Sequence, residues 1–267
     1  MSDVKKKTTI KDVANMAGVS IATVSYVING KTEQKIPEET RKKVFHAINF
    51  LGYSPNPHAV AIKTEHTKDI ILRSQVSSSL LQDLENISFL QRFTPYCIKE
   101  GYSVALSADK RPMRVPASAC VCLAMDAKEF HTLAQENFVP LVAVDTLVYD
   151  PVFYQVTYDY AAIRLIAQER FGSDFTYVAV YPEDAALREE ILSCIPNTLF
   201  VRQFSDFKEL HVKNAVVTDH CPEMFLHADS LLVLSDLQER KLAAVLDCVK
   251  RAVTRITVAD SEHYIKV

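Results

Sequence analysis

Glycine is scarce in this chain: five residues in 267, with only Gly101 and Gly172 beyond residue 68. There is no Gly-rich phosphate loop and no Gly-x-Gly-x-x-Gly, so two common nucleotide-enzyme signatures are missing. There is also no His-Glu-x-x-His, and the eight histidines include no i, i+4 pair. A metal site or metalloenzyme is therefore disfavoured, and neither metal nor cofactor is expected. The six cysteines show no zinc-type paired spacing. Cys120 and Cys122 alternate within an apolar run and read as small core residues. No apolar run approaches a membrane span, and the opening MSDVKKK has no hydrophobic region behind its lysines. These features predict a cytoplasmic, reduced protein that uses no membrane and is not an enzyme.

What is present concentrates at the start. In Thr8–Asn29, TTIKDVANMAGVSIATVSYVIN, Thr9 can cap a helix with Asp12 as the return partner of a capping box. Ile10, Val13, Ala14 and Ala17 share one helical face. Gly18 breaks that helix, and Ser20 can cap a second, with Val19 and Val24 as a hydrophobic staple. At 100° per residue, Val24, Val27 and Ile28 point one way, whereas Ala22, Ser25, Tyr26 and Asn29 point the other. Two short helices about a glycine turn describe a helix-turn-helix, although such pairs also occur in many small cores. A third helix is predicted over Pro37–Leu51, with Val44, Ile48 and Leu51 inward, Glu38 and Glu39 at its start and Gly52 as its stop. Arg41, Lys42 and Lys43 would be exposed, either solvated or touching phosphate.

The net charge of −3 conceals an asymmetry. Residues 1–68 carry 11 Lys and Arg against 6 Asp and Glu, whereas the rest carry 19 against 27. A basic module on an acidic body suits a phosphate-binding head, although a charge run alone is usually a solvated face.

The wording of the first 68 residues is more specific than their pattern. TIKDVANMAGVSIATVSYVIN, IPEETRKKVFHAINFLGYSPN and the HTK at His66–Lys68 closely resemble the headpiece of the LacI–GalR family of bacterial transcriptional regulators. The resemblance implies a homodimer on an operator of double-stranded DNA. It places base reading at Ile21, Ala22 and Tyr26, with Thr9, Ser20, Thr23, Ser25 and Asn29 positioning the protein on phosphates. Asn56–Lys63 resembles the family's hinge helix, about two turns long and below the roughly 12–15 residues at which isolated helices become marginal. Asn56, Ala59, Ile62 and Lys63 would face the minor groove, with Ile62 as the apolar wedge.

From Asp69 the pattern alternates. Strands are predicted at 70–72, 104–106, 121–124, 141–144, 177–181, 216–218, 231–234 and 256–259, and helices at 80–99, 127–137, 160–170, 185–194 and 237–252. This argues for parallel sheets covered by helices. The expected class is α/β: an all-α headpiece (1–55), a hinge (56–68) and a two-lobed, parallel-sheet, periplasmic-binding-protein-like effector and dimerisation domain (69–267), truncated relative to the family. ALREEIL resembles the segment holding the family's effector-contacting arginine, which puts Arg188 in a cleft; on residues alone it is equally a surface partner of Asp184. Asp159, Asp236 and Asp260, at family-like strand ends, are further effector candidates, although such carboxylates more often cap the next helix. Few glycines and no Asn-Pro-Phe turn after the first strand leave two readings: a repressor answering a sugar, a purine or a partner protein, or a body that only dimerises.

Overall fold

A computed structural model describes residues 8–28, 36–53, 68–75, 79–107, 117–137, 139–254 and 260–267. The headpiece holds α1 (Ile10–Ala17), α2 (Ile21–Ile28) and α3 (Glu38–Leu51). The α1 capping box forms, and Gly18 turns the chain at φ 65°, a left-handed conformation that glycine adopts without a Cβ penalty. Val13, Ala14, Ala17, Val24, Val27, Val44, Phe45, Ala47 and Ile48 make a closed core, with Val19 and Leu51 packed at its margin. This core is separate from those of the body.

The body has two all-parallel sheets. In chain order the first lobe supplies β1 (Asp69–Ser74), α4 (Leu80–Lys99), β2 (Ser103–Ser107), β3 (Ala119–Leu123), α5 (Ala127–Glu136), β4 (Leu141–Val144) and β5 (Tyr154–Thr157). The second supplies α6 (Tyr160–Phe171), β6 (Thr176–Val180), α7 (Ala185–Cys194), β7 (Thr198–Val201), α8 (Phe204–Glu209), β8 (His211–Val217), α9 (His220–Phe225) and β9 (His227–Val233). The chain then returns through α10 (Ser235–Thr254), which packs on β3, β4 and β5, and ends in a 3₁₀ turn at Asp260–His263 and β10 (Tyr264–Lys266). Strand orders are β10-β5-β4-β3-β1-β2 and β7-β6-β8-β9. Central strands such as β3 and β4 are buried along their whole length, as parallel strands covered on both faces must be.

The fold class is as expected, and local differences have local causes. The strand β5 was not expected because Gln155 interrupts its apolar pattern; buried, its side-chain oxygen accepts the Val148 and Tyr149 N–H groups at 2.8 and 3.2 Å. The strands β7 and β10 and the six-residue helices α8 and α9 are too short to carry a clear period. The strand predicted at 256–259 lies outside the described residues, as do the hinge residues Asn56, Ala59, Ile62 and Lys63. The lobes are not separate globules: one apolar cluster runs from Ile70, Val121 and Val144 in the first through Tyr177, Leu187 and Val216 in the second.

Candidate nucleic-acid interface

The second helix of the headpiece presents two contrasting faces. Val24 and Val27 are buried, Ile21 and Ala22 are exposed, and Thr23, Ser25 and Tyr26 are half-buried between them. Ile21 is left 46% exposed at the first turn of the helix and is not among the residues of the described headpiece core. Ser20 accepts the Thr23 N–H at 3.0 Å, and its hydroxyl lies 2.9 Å from that of Thr23, so both are held at the helix N-terminus. Unsatisfied N–H groups and a positive dipole end make that terminus attractive to phosphate. Thr9 is fixed by Asp12, whose carboxylate takes the Thr9 N–H at 2.8 Å and its hydroxyl at 2.7 Å. Asn29 lies outside the described residues.

Residues 9–56 match the family model "Bacterial regulatory proteins, lacI family". This is a lacI-family headpiece. Among curated proteins, the chain is 49% identical over 78 residues to the HTH-type transcriptional regulator RegA of Clostridium saccharobutylicum, covering 29% of this chain and 23% of that protein. It is 32% identical over 151 residues to the HTH-type transcriptional repressor PurR of Photobacterium profundum, covering 51% of this chain and 43% of that one. The chain thus spans less than half the length of these relatives. Among solved structures, the lac repressor dimer bound to operator and the anti-inducer ONPF aligns at TM-score 0.46 and 16% identity, over 95% of this chain and 94% of that one.

The lacI-family headpiece rests on the first lobe of the body. Asn49 Nδ2 donates to the Ala134 carbonyl at 2.9 Å, and His46 Nε2 lies 3.9 Å from Asp150 Oδ1.

In the body, the expected effector residues do not gather. Asp159 caps α6, accepting the Ala162 N–H at 3.1 Å. Arg188 is tied to the turn before its own helix: it donates to the Pro182 and Glu183 carbonyls, with its guanidinium 4.6 Å from the Tyr181 ring centroid. It pairs neither with the cavity nor with Asp184, which caps α7 and takes the Ala127 N–H across the lobes at 3.2 Å. Asp236 sits exposed in the first turn of α10, and Asp260 enters the 3₁₀ turn, its side chain outside the described residues. None of Arg188, Asp159 and Asp236 lines the space between the lobes: cap and backbone bonds hold Asp159 and Arg188 elsewhere, and Asp236 is exposed.

That space is instead lined by Glu85, Asn86, Asp145, Tyr158, Thr218, Asp219, Gln238 and Lys241, and it encloses about 100 Å³. Ligand pockets usually run to roughly 300–1,000 Å³. Lys241, with 8% of its side chain exposed, bonds to Asp145 and lies 4.0 Å from the Tyr158 ring centroid. Gln238 Nε2 crosses to the Thr218 carbonyl at 2.6 Å, and Glu85 accepts the Cys221 N–H. Ala124 and Asp145, directly after β3 and β4, take left-handed φ of 46° and 54°. Backbone strain of this kind concentrates where a fold presents functional groups. Burial, and then the neighbouring Glu85 charge, push the Asp219 carboxyl up to about 7. Burial also raises the Cys97 and Cys248 thiols to about 12, which leaves them protonated and unfit as nucleophiles. Among the described residues, no cluster of His, Cys, Asp and Glu could hold a metal ion.

The sequence signal for this cavity was available. Asp145 and Asp219 each end an apolar strand run, and Lys241 falls in the inward stripe of α10 with Gln238 and Val245. A lysine in a buried stripe needs a carboxylate nearby.

Proposed function

We propose that the protein is a sequence-specific, DNA-binding transcriptional repressor of the cytoplasm, acting on a pseudo-palindromic operator as a homodimer. The observation that carries this reading is the exposed face of α2 in a headpiece with its own core. On this reading Ile21 and Ala22, which lack hydrogen-bond donors, contact thymine methyls or shape, and Tyr26 is the polar reader. Thr9, Ser20, Thr23, Ser25 and Asn29 position the headpiece on phosphates. Residues 56–68 form the connection in which Ile62 is the minor-groove wedge, and residues 69–267 are the dimerisation and response body.

A dimer is supported by apolar surface on one side of the body. Leu80 (71% exposed), Leu84 and Ile87 of α4 lie on the element that packs against α9, where Met224 and Phe225 are also exposed. Single surface leucines need no explanation; on this reading the group is where a second copy docks. Selection of bound sequences from a random DNA pool tests the whole reading. It must return a two-fold-related site; recovery of no sequence preference refutes it.

The cavity favours the second reading of the body, that it dimerises without a sugar- or purine-sized effector. An interlobe space of about 100 Å³ is smaller than the roughly 300–1,000 Å³ of ordinary ligand pockets, and the Lys241–Asp145 pair bridges its wall. A thermal-shift screen separates the readings, because any ligand bound to the folded form must raise its melting temperature. A shift with a sugar or purine restores the effector reading.

A further inference from the structure

The cavity holds more negative than positive groups, and its one buried lysine is committed. From α4 come Glu85 and Arg92, and from the ends of β4 and β8 come Asp145 and Asp219. Tyr158, Tyr160 and Tyr177 face the same space, as do His220 from α9 and Lys241 from α10. Arg92 is spent on Gln238 and on Glu239 (2.9 Å), and His220 Nδ1 turns to Glu223 Oε2 at 3.5 Å. Lys241 is bonded to Asp145. Burial pushes the three tyrosines well above their ordinary range, so they stay neutral. Among the described residues, Asp219 and Glu85 form no ion pair, and Lys241, bonded to Asp145, only partly offsets the effect of burial and of Glu85 on Asp219. Each clasps a backbone N–H in the second lobe: Asp219 Oδ2 takes that of Val180 at 2.8 Å, and Glu85 takes that of Cys221. Two further atoms in this wall are buried without partners, Asn86 Nδ2 and Asp145 Oδ1. The void, of about 100 Å³, is lined by both polar and apolar groups and is large enough to admit water beside the carboxyls.

We propose that the α4–α9 contact is a proton-operated latch, closed when Asp219 is protonated beside Glu85 and loosened when Asp219 ionises. This rests on the reading that the body responds without a sugar- or purine-sized effector. The two charges share one low-dielectric seam, and ionising the second sets it against the first. The sign follows from linkage. Asp219 binds its proton more tightly in the closed seam than in an open, hydrated one, because burial and Glu85 disfavour its charge. The closed form thus keeps its full advantage below the ordinary carboxylate range and loses it as pH rises to about 7. A single such group makes the open-to-closed ratio rise about tenfold between roughly pH 6 and pH 8. The movement required is local, a separation of α9 from α4, and leaves the shared apolar core intact.

Hydrogen exchange on the full chain tests this without any ligand or DNA. Protection of the peptide containing Cys221, whose N–H crosses the α4–α9 seam to Glu85, should fall about tenfold across that interval after correction for the intrinsic exchange rate at each pH. A peptide from β3 should not change. Asp219→Asn keeps an acceptor for the Val180 N–H and cannot ionise, so its protection should be high and independent of pH. Glu85→Gln removes the charge that raises Asp219, so the midpoint should move to lower pH. A flat profile in the wild type overturns the latch. So does a pH effect that survives in Asp219→Asn, where His220 is retained. If Asp219→Asn does not fold, an unmoved midpoint in Glu85→Gln is sufficient to overturn it.

Discussion

Val24→Ala separates the two halves of the argument. Val24 is fully buried at the centre of the headpiece core, between α1 and α3. The change removes two methyl groups' worth of burial, about 1.6 kcal/mol at ~0.8 kcal/mol per carbon, and leaves a cavity that adds about 1 kcal/mol more. A domain of this size has a total stability of about 2–7 kcal/mol by the usual per-residue range, so a loss of ~2–3 kcal/mol is a third of it or all of it. The body has separate cores and should not register the change, apart from the Asn49–Ala134 contact. Scanning calorimetry of the full chain should then show an early transition that moves down by roughly 10–20 °C or disappears, at about 4–8 °C per kcal/mol for small domains. The later transition should stay in place, and operator binding should fall in parallel with the first. A single cooperative transition that shifts as a whole would refute the independence of the headpiece. Unchanged DNA affinity in a variant whose headpiece has melted would refute its role in binding.

Exchanging Ile21 and Ala22 for another family member's pair should change the preferred half-site in a binding selection while leaving salt dependence unaltered. The segment 1–68 alone should bind operator orders of magnitude more weakly than the full chain in a filter-binding titration, because a dimer raises the effective concentration of its second headpiece. Ile62→Ala should cost about 1–3 kcal/mol of operator affinity and reduce DNA bending in a gel-shift assay, with the circular dichroism of the body unchanged. Lys241→Met should lower the stability of the body in urea by about 2–3 kcal/mol, towards the low end for a broken buried pair because Asp145 keeps 30% of its side chain exposed. Equal stability of that variant would show that the pair holds nothing together.

The headpiece was legible in the sequence because its information is local. A capping threonine three residues before Asp12, a left-handed glycine at 18 and apolar positions at helical spacing specify two helices and the angle between them without distant partners. The alternation of strands and helices in the body was legible for the same reason, since each continuous apolar run signals a strand buried on both faces. For the interlobe space the sequence offered single members, a lysine in a buried stripe and carboxylates after apolar runs, but not which of them meet. Arg188, Asp159 and Asp236 sit at strand ends and helix starts, and whether such a group faces a cleft or caps its own helix depends on which bonds are within reach after the lobes close. The nearest backbone groups claimed Asp159 and Arg188. Lys241, Asp145, Glu85 and Asp219 come from elements up to 156 residues apart in sequence, and only the packing of α10 and α4 against the ends of β4 and β8 sets their charges in one low-dielectric space. Local periodicity specifies which face of an element is buried. Long-range packing decides which buried charges meet, and that decided the chemistry between the lobes.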